Sequence, residues 1–135
     1  MNTFSDKTFP KSQRLCSRDD FQRLLSQKQS FYLYPFVCYY GTEEGKNAFE
    51  AKIAIAVGKK RIKRAVHRNR VKRLIKEAYR QNKHLIYRTF QEEQKEIHLI
   101  LVYVESKVLP YSFINNKMIL LINKLLKTYS KKIKG

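Results

Sequence analysis

Acidic residues are scarce in this chain. Only 11 Asp and Glu stand against 29 Lys and Arg in 135 residues, a formal net charge of +18. The acids are scattered, and their only groupings are Asp19-Asp20, Glu43-Glu44 and Glu92-Glu93-Glu96. None has a histidine at a spacing suited to metal-assisted hydrolysis. His67, His84 and His98 form no ligand group, and Glu92 to Glu96 reads as a solvated loop. Two cysteines are too few for a secreted disulfide scaffold, and Cys16 and Cys38 lack the Cys-x-x-Cys spacing of a zinc site. Both read as reduced thiols, with Cys38 buried. Glycine is rare, and Gly58-Lys59 lacks the rest of a phosphate-cradling loop. Tryptophan is absent. The longest apolar run, near Met118–Ile122, is far shorter than the roughly 18 residues of a membrane span. Met1 to Arg18 has no apolar block of signal-peptide type. The polypeptide is therefore expected to hold no catalytic residue, metal site or bound cofactor of its own, and to work in the cytoplasm.

Hydrophobic residues make up 43% of the chain, enough to build a core. With no repeat or linker, residues 1–135 read as one domain, and residues 1–16 as a flexible or extended N-terminal segment. The excess positive charge calls for a polyanion, because neutralising phosphates releases counterions.

Sequence patterns predict seven elements. A helix runs from Arg18 to Gln27, with Ser17 as N-cap and Phe21, Leu24 and Leu25 as its apolar face. The aromatic run Phe31 to Tyr40 reads as strand, broken by Pro35, which lacks a ladder donor. Gly41 to Gly45 reads as a turn. Lys52–Val57 alternates Ile53, Ile55 and Val57 on one face with Ala54 and Ala56 on the other. A helix covers Arg64 to Gln81, a polar and partly helical connection Asn82 to Glu96, and a buried strand Ile97 to Val104. Pro110 opens a last helix, Tyr111 to Lys131, with Ile114, Met118, Leu121, Ile122, Leu125 and Tyr129 as its core stripe. The order is α-β-β-β-α-β-α, an α+β sandwich with a small central sheet.

The charge is concentrated. Lys59 to Arg80 holds eleven basic residues and one acid, Glu77, and so carries ten of the eighteen net charges. At 100° per residue, His67, Val71, Leu74, Ile75 and Ala78 are expected to face the sheet. Arg68, Lys72, Lys76 and Arg80 form an i, i+4 run on the other side, flanked by Asn69 and Arg73. Like charges at that spacing cost a helix about 0.2–0.5 kcal/mol per pair. A helix selected for stability alone would interleave Glu. The pattern fits a comb of cations matched to phosphates, with Asn69 able to reach a base edge or 2′-hydroxyl.

Lys59-Lys60, then after four residues Ala65-Val66-His67-Arg68-Asn69-Arg70-Val71-Lys72-Arg73, with Glu77 and Arg80 beyond, resembles the signature of the bacterial ribonuclease P protein component. Arg14-Leu15, Asp20-Phe21, Phe36-Val37 and Tyr39 are similar to the family's N-terminal half. The resemblance implies a protein that binds a catalytic RNA. Together they remove the 5′ leader of precursor tRNA by Mg²⁺-dependent hydrolysis, the RNA carrying the chemistry and the Mg²⁺. It implies that Lys59, Lys60, Arg61, Arg64, Arg68, Asn69, Arg70, Lys72, Arg73, Lys76 and Arg80 face the catalytic RNA. It also implies a leader cleft lined by Phe21, Leu25, Val37 and Tyr39, and a left-handed β-α-β crossover. The sequence departs from the pattern at Lys76 and Tyr103, where the family commonly has Arg, and at Leu25, where it often has Phe.

Aromatic faces in such a cleft suit a leader of variable sequence, since stacking is indifferent to base identity. In the strand, Val37 and Tyr39 share one face and Phe36, Cys38 and Tyr40 the other, so only one set can be core. The rival readings are a structural RNA-binding protein of ribosomal type and a DNA-binding regulator. The second lacks a helix-turn-helix partner and dimer heptads, and no DNA or membrane partner is expected.

Overall fold

The computed structural model describes residues 29–44, 50–90 and 95–134, together with Gln22, Leu25 and Ser26, which are helical. The remainder of the expected Arg18–Gln27 helix, including Phe21, lies outside the described residues. So do the 1–16 segment and Cys16.

Pro35 divides the aromatic run as expected. β1 (Ser30–Leu33) and β2 (Phe36–Glu44) form a hairpin around Tyr34-Pro35, with Leu33 opposite Phe36. Beyond Tyr40 the expected turn is not found. Gly41–Glu44 continues β2, because β4 (Lys95–Tyr103) reaches far enough to pair with it, Gly41 opposite His98 and Glu44 opposite Lys95. Glu96 is therefore a strand residue rather than part of a loop. β3 (Glu50–Val57) lies parallel to β4, and the sheet order is β1-β2-β4-β3. Consecutive strands β3 and β4 are thus joined by a β-α-β crossover.

That crossover holds two helices. α1 (Ala65–Asn82) is the basic helix, and α2 (His84–Phe90) occupies the expected polar connection. α2 exists because Ile86, Tyr87 and Phe90 recur on one face and are all buried. α3 (Tyr111–Lys134) follows Pro110. Its predicted stripe, Ile114, Met118, Leu121, Ile122, Leu125 and Tyr129, is buried in full.

The strands sort their side chains by parity. One face carries Phe36, Cys38, Tyr40, Ile53, Val57, Leu99, Leu101 and Tyr103 into the main core beneath the helices. Burial pushes the Cys38 thiol up to about 12, so it stays protonated and inert. The opposite face carries Val37, Tyr39, Ala54, Ile100 and Val102. Tyr103 is wholly buried; its hydroxyl donates to the Lys107 carbonyl at 2.6 Å and accepts from the Leu109 N–H at 3.2 Å. Where the resemblance leads one to expect an arginine, this tyrosine instead fastens the loop that leads into α3.

α1 and α3 are tied by Asn82, whose Nδ2 donates to Asn115 Oδ1 and to the Ala78 carbonyl, each at 2.8 Å. β3 is an edge strand, and α2 covers it. The Ala51 N–H donates to the Tyr87 hydroxyl at 3.1 Å, which in turn lies 3.0 Å from Glu50 Oε1. This gives a buried backbone donor its partner and blunts the edge. Tyr87→Phe should therefore destabilise the protein by about 1–3 kcal/mol, the cost of an unsatisfied buried donor. Urea unfolding checks this; an unchanged midpoint would show that the hydroxyl contributes nothing.

Candidate nucleic-acid interface

Gly58 ends β3, and a short turn leads into α1. The N–H groups of Arg61 and Ile62 both donate to the Gly58 carbonyl at 3.2 Å. Ile62 is buried and anchors the turn, so Lys59, Lys60, Arg61 and Lys63 are left pointing outward, all exposed. α1 then starts at Arg64 with no side-chain cap and no acid in its first turn. A Ser, Thr, Asp or Asn cap is worth about 0.5–2 kcal/mol. Its absence leaves the positive end of the helix dipole without a protein anion among cations.

Burial of Val71, Ile75, Ala78 and Tyr79 sets the rotation of α1. The arc opposite holds Asn69, Arg70, Arg73 and Lys76, all exposed. This corrects the expected cation face. Successive i, i+4 positions advance 400°, so the run from Arg68 to Arg80 drifts around the helix by about 40° per step. Arg68 ends on the buried side. Its Nη1 donates to the carbonyls of Ile62 at 2.9 Å and Lys63 at 2.7 Å, clamping the preceding turn onto the helix. Asn69 and Arg73, expected at the flanks, lie within the exposed arc. His67, expected against the sheet, is exposed, because the first turn of α1 extends past the core. Lys72 and Arg80 are half-buried, and Arg64 is exposed.

The one acid of α1 is occupied. Glu77 accepts from Arg80 Nε at 3.0 Å, Arg80 Nη2 at 2.7 Å and Gln81 Nε2 at 3.1 Å. The Arg80 guanidinium holds the Glu77 carboxyl down at about 2, with Gln81 assisting. The pair thus supports the helix above the ordinary carboxylate value of 4.5 and loses that support as pH falls towards 2.

The second sheet face is built in rows across the strands. Val37 pairs with Val102 and Val102 with Ala56; Tyr39 pairs with Ile100 and Ile100 with Ala54; Gly41 pairs with His98 and His98 with Lys52. Val37 and Tyr39 are half-buried here, while Phe36, Cys38 and Tyr40 belong to the core. The structure thus brings two of the four expected cleft residues together. A third, Leu25, is 38% exposed on its helical segment, and Phe21 lies outside the described residues. The row of Val37 and Ala56 sits at the sheet end from which Gly58 to Arg61 leave.

Its far row was not expected. Glu96 Oε1 meets Lys52 Nζ and His98 Nε2, each at 3.1 Å, and His98 is almost wholly buried. The signal that reveals it is the alternation Glu96-x-His98-x-Ile100-x-Val102, which shares a parity with Lys52-x-Ala54-x-Ala56. Among the described residues no group of three or more His, Cys, Asp or Glu is placed to hold a metal ion. No helix among them is long and apolar enough to cross a membrane.

Comparison with known proteins agrees with this geometry. The family model for Ribonuclease P matches residues 9–128. The ribonuclease P protein component of Porphyromonas gingivalis is 43% identical over 84 residues, 62% of this chain and 61% of that relative. That of Dictyoglomus turgidum is 37% identical over 94 residues, covering 69% of this chain and 71% of the relative. The chain thus spans less than two thirds of the length of the first relative and somewhat more of the second. The Staphylococcus aureus RNase P protein superposes with a TM-score of 0.60 at 26% identity, covering 86% of this chain and 99% of that one. The Thermotoga maritima RNase P protein shares the fold, with a TM-score of 0.61 at 23% identity over 82% of this chain and 96% of that one. With a family model spanning nearly its whole length and a basic helix that turns Asn69 and Arg70 of its Arg-Asn-Arg motif outward, this chain belongs to the ribonuclease P protein family.

Proposed function

We propose that this chain is the protein subunit of a ribonuclease P ribonucleoprotein in the cytoplasm. It binds the catalytic RNA through α1 and the turn before it, and binds the 5′ leader of precursor tRNA on the second sheet face. The complex is an endoribonuclease that hydrolyses the phosphodiester at the mature 5′ end. The RNA carries the reaction and its Mg²⁺.

The observation that carries this reading is the exposed arc of Asn69, Arg70, Arg73 and Lys76, together with the exposed Lys59, Lys60 and Arg61 of the turn before α1. Arginine offers a planar fork to phosphate, and Asn69 adds a donor and acceptor for a base edge or sugar hydroxyl. The uncapped, acid-free start of α1 supports the same reading. Tyr39, flanked by Val37 and Ile100, offers a ring for stacking on an unpaired base. The Val37–Ala56 end of that face lies at the same sheet end as the basic turn, which keeps the two proposed contacts close.

The direct test mixes the purified chain with a bacterial ribonuclease P RNA and a precursor tRNA at low Mg²⁺, where the RNA alone is slow. Faster 5′ cleavage is expected, and no acceleration would reject the reading. Tyr39→Ala should weaken binding of leader-bearing precursor by about 1–3 kcal/mol and leave mature tRNA unaffected. Equal loss for both would remove the leader from this face. Glu77→Gln should tighten binding to the RNA, because it removes the one carboxylate of α1 and raises the charge of that helix by one; unchanged affinity would show that the RNA does not meet this part of α1.

A further inference from the structure

We infer that α3 forms a second RNA-binding surface, on the flank of the molecule away from α1, which grips a duplex phosphate backbone without reading sequence. α3 contains six lysines and no acid in its 24 residues. Three of them, Lys117, Lys124 and Lys127, follow a three-four spacing together with Leu120, and the backbone positions of Lys131 and Lys134 continue it. Lys124 and Lys127 are exposed, Lys117 partly so, and Leu120 is 51% exposed.

Two of these ammonium groups are held in place by aromatic rings. Lys117 Nζ lies 5.3 Å from the centroid of Phe113, and Lys124 Nζ lies 5.0 Å from that of Phe31 on β1. A cation over a ring face is restrained without being neutralised, so it can still meet a phosphate. The row therefore runs along the β1 edge of the sheet. α1 lies on the other side: Asn115, about 200° around α3 from Lys117, is the residue that bonds Asn82 of α1. Lys117 to Lys127 spans about 15 Å along a straight axis.

The chemistry selects among polyanions. Lysine is a point charge without the fork that suits specific phosphate or base contacts, which fits a backbone gripped at many registers. A membrane is a poor fit, because the apolar face of α3 is spent on the core and only Leu120 interrupts the lysine row at the surface. Like-charged neighbours at Lys124 and Lys127 cost helix stability, and no acid on α3 offsets them. This surface goes beyond the subunit reading above, since it needs an RNA duplex but no cleavage reaction.

The test measures binding of the full chain to a blunt RNA duplex of two helical turns as salt is varied. The triple variant Lys117→Gln, Lys124→Gln, Lys127→Gln should bind roughly tenfold more weakly at moderate salt, with a log–log slope shallower by about two. The corresponding triple Lys→Arg variant should bind as the parent does, and urea unfolding should show all three proteins folded. An unchanged slope in the Gln variant contradicts a phosphate-binding role for α3, as does equal loss in the Arg variant. So does loss of binding to phosphatidylglycerol vesicles with RNA binding intact, which would make the row a membrane contact. Acceleration of precursor cleavage, measured in parallel, tells a failure of the subunit reading apart from a failure of this one.

Discussion

The rotation of α1 about its own axis is the constraint on which the rest depends. Val71, Ile75, Ala78 and Tyr79 are buried against the sheet and α3, and this alone decides which cations face outward. The energies favour that arrangement clearly. Burying one Val or Ile side chain contributes about 1.5–3 kcal/mol, whereas a like-charged i, i+4 pair costs about 0.2–0.5 kcal/mol. A few core residues can therefore hold a crowd of cations in a fixed direction. Arg68 adds a second restraint by clamping the turn that carries Lys59, Lys60 and Arg61. The backbone that carries the exposed cations is thus held by the core and by Arg68, which lowers the ordering cost of any binding there.

The sheet divides its side chains between a core face and a second face. Tyr39 and Val37 are available on the second face only because Phe36, Cys38 and Tyr40 fill the core, and strand parity admits no mixture. β4 is central to both faces, pairing with β2 on one side and β3 on the other. Its even residues run from the Glu96–Lys52–His98 group to Val102, beside the basic turn. The α+β layering thus keeps a mostly apolar sheet face and a strongly cationic helix arc on different elements.

Much of this was legible in the sequence, for identifiable reasons. The stripe from Ile114 to Tyr129 and the alternation Ile53, Ile55, Val57 are strong periodic signals, and Pro35 is an unambiguous break. The Arg-Asn-Arg motif, with Lys59-Lys60 upstream, carries its meaning in local spacing. What was not legible depends on partners distant in sequence. Gly41–Glu44 is strand because β4 is long enough to pair with it. α2 hides in a charged stretch because only three of its residues, Ile86, Tyr87 and Phe90, need to be apolar. Arg68 belongs to the structural side because carbonyls six and five residues earlier fold back within its reach. His67 is exposed because the core ends before the first turn of α1, a limit that helical angles alone do not convey. In α3, the lysine row and the apolar stripe interleave in one string, and the flank on which the lysines lie depends on where Asn82 and Phe31 sit.

The division of labour on α1 can be measured most directly by comparing Arg68→Ala with Arg73→Ala in both stability and affinity for the catalytic RNA. If the core sets the helix rotation, Arg68→Ala lowers the urea midpoint and leaves RNA affinity nearly unchanged. Arg73→Ala then does the reverse, weakening RNA binding by about 1–3 kcal/mol at unchanged stability. An Arg68→Ala variant of full stability that loses as much RNA affinity as Arg73→Ala would contradict the account.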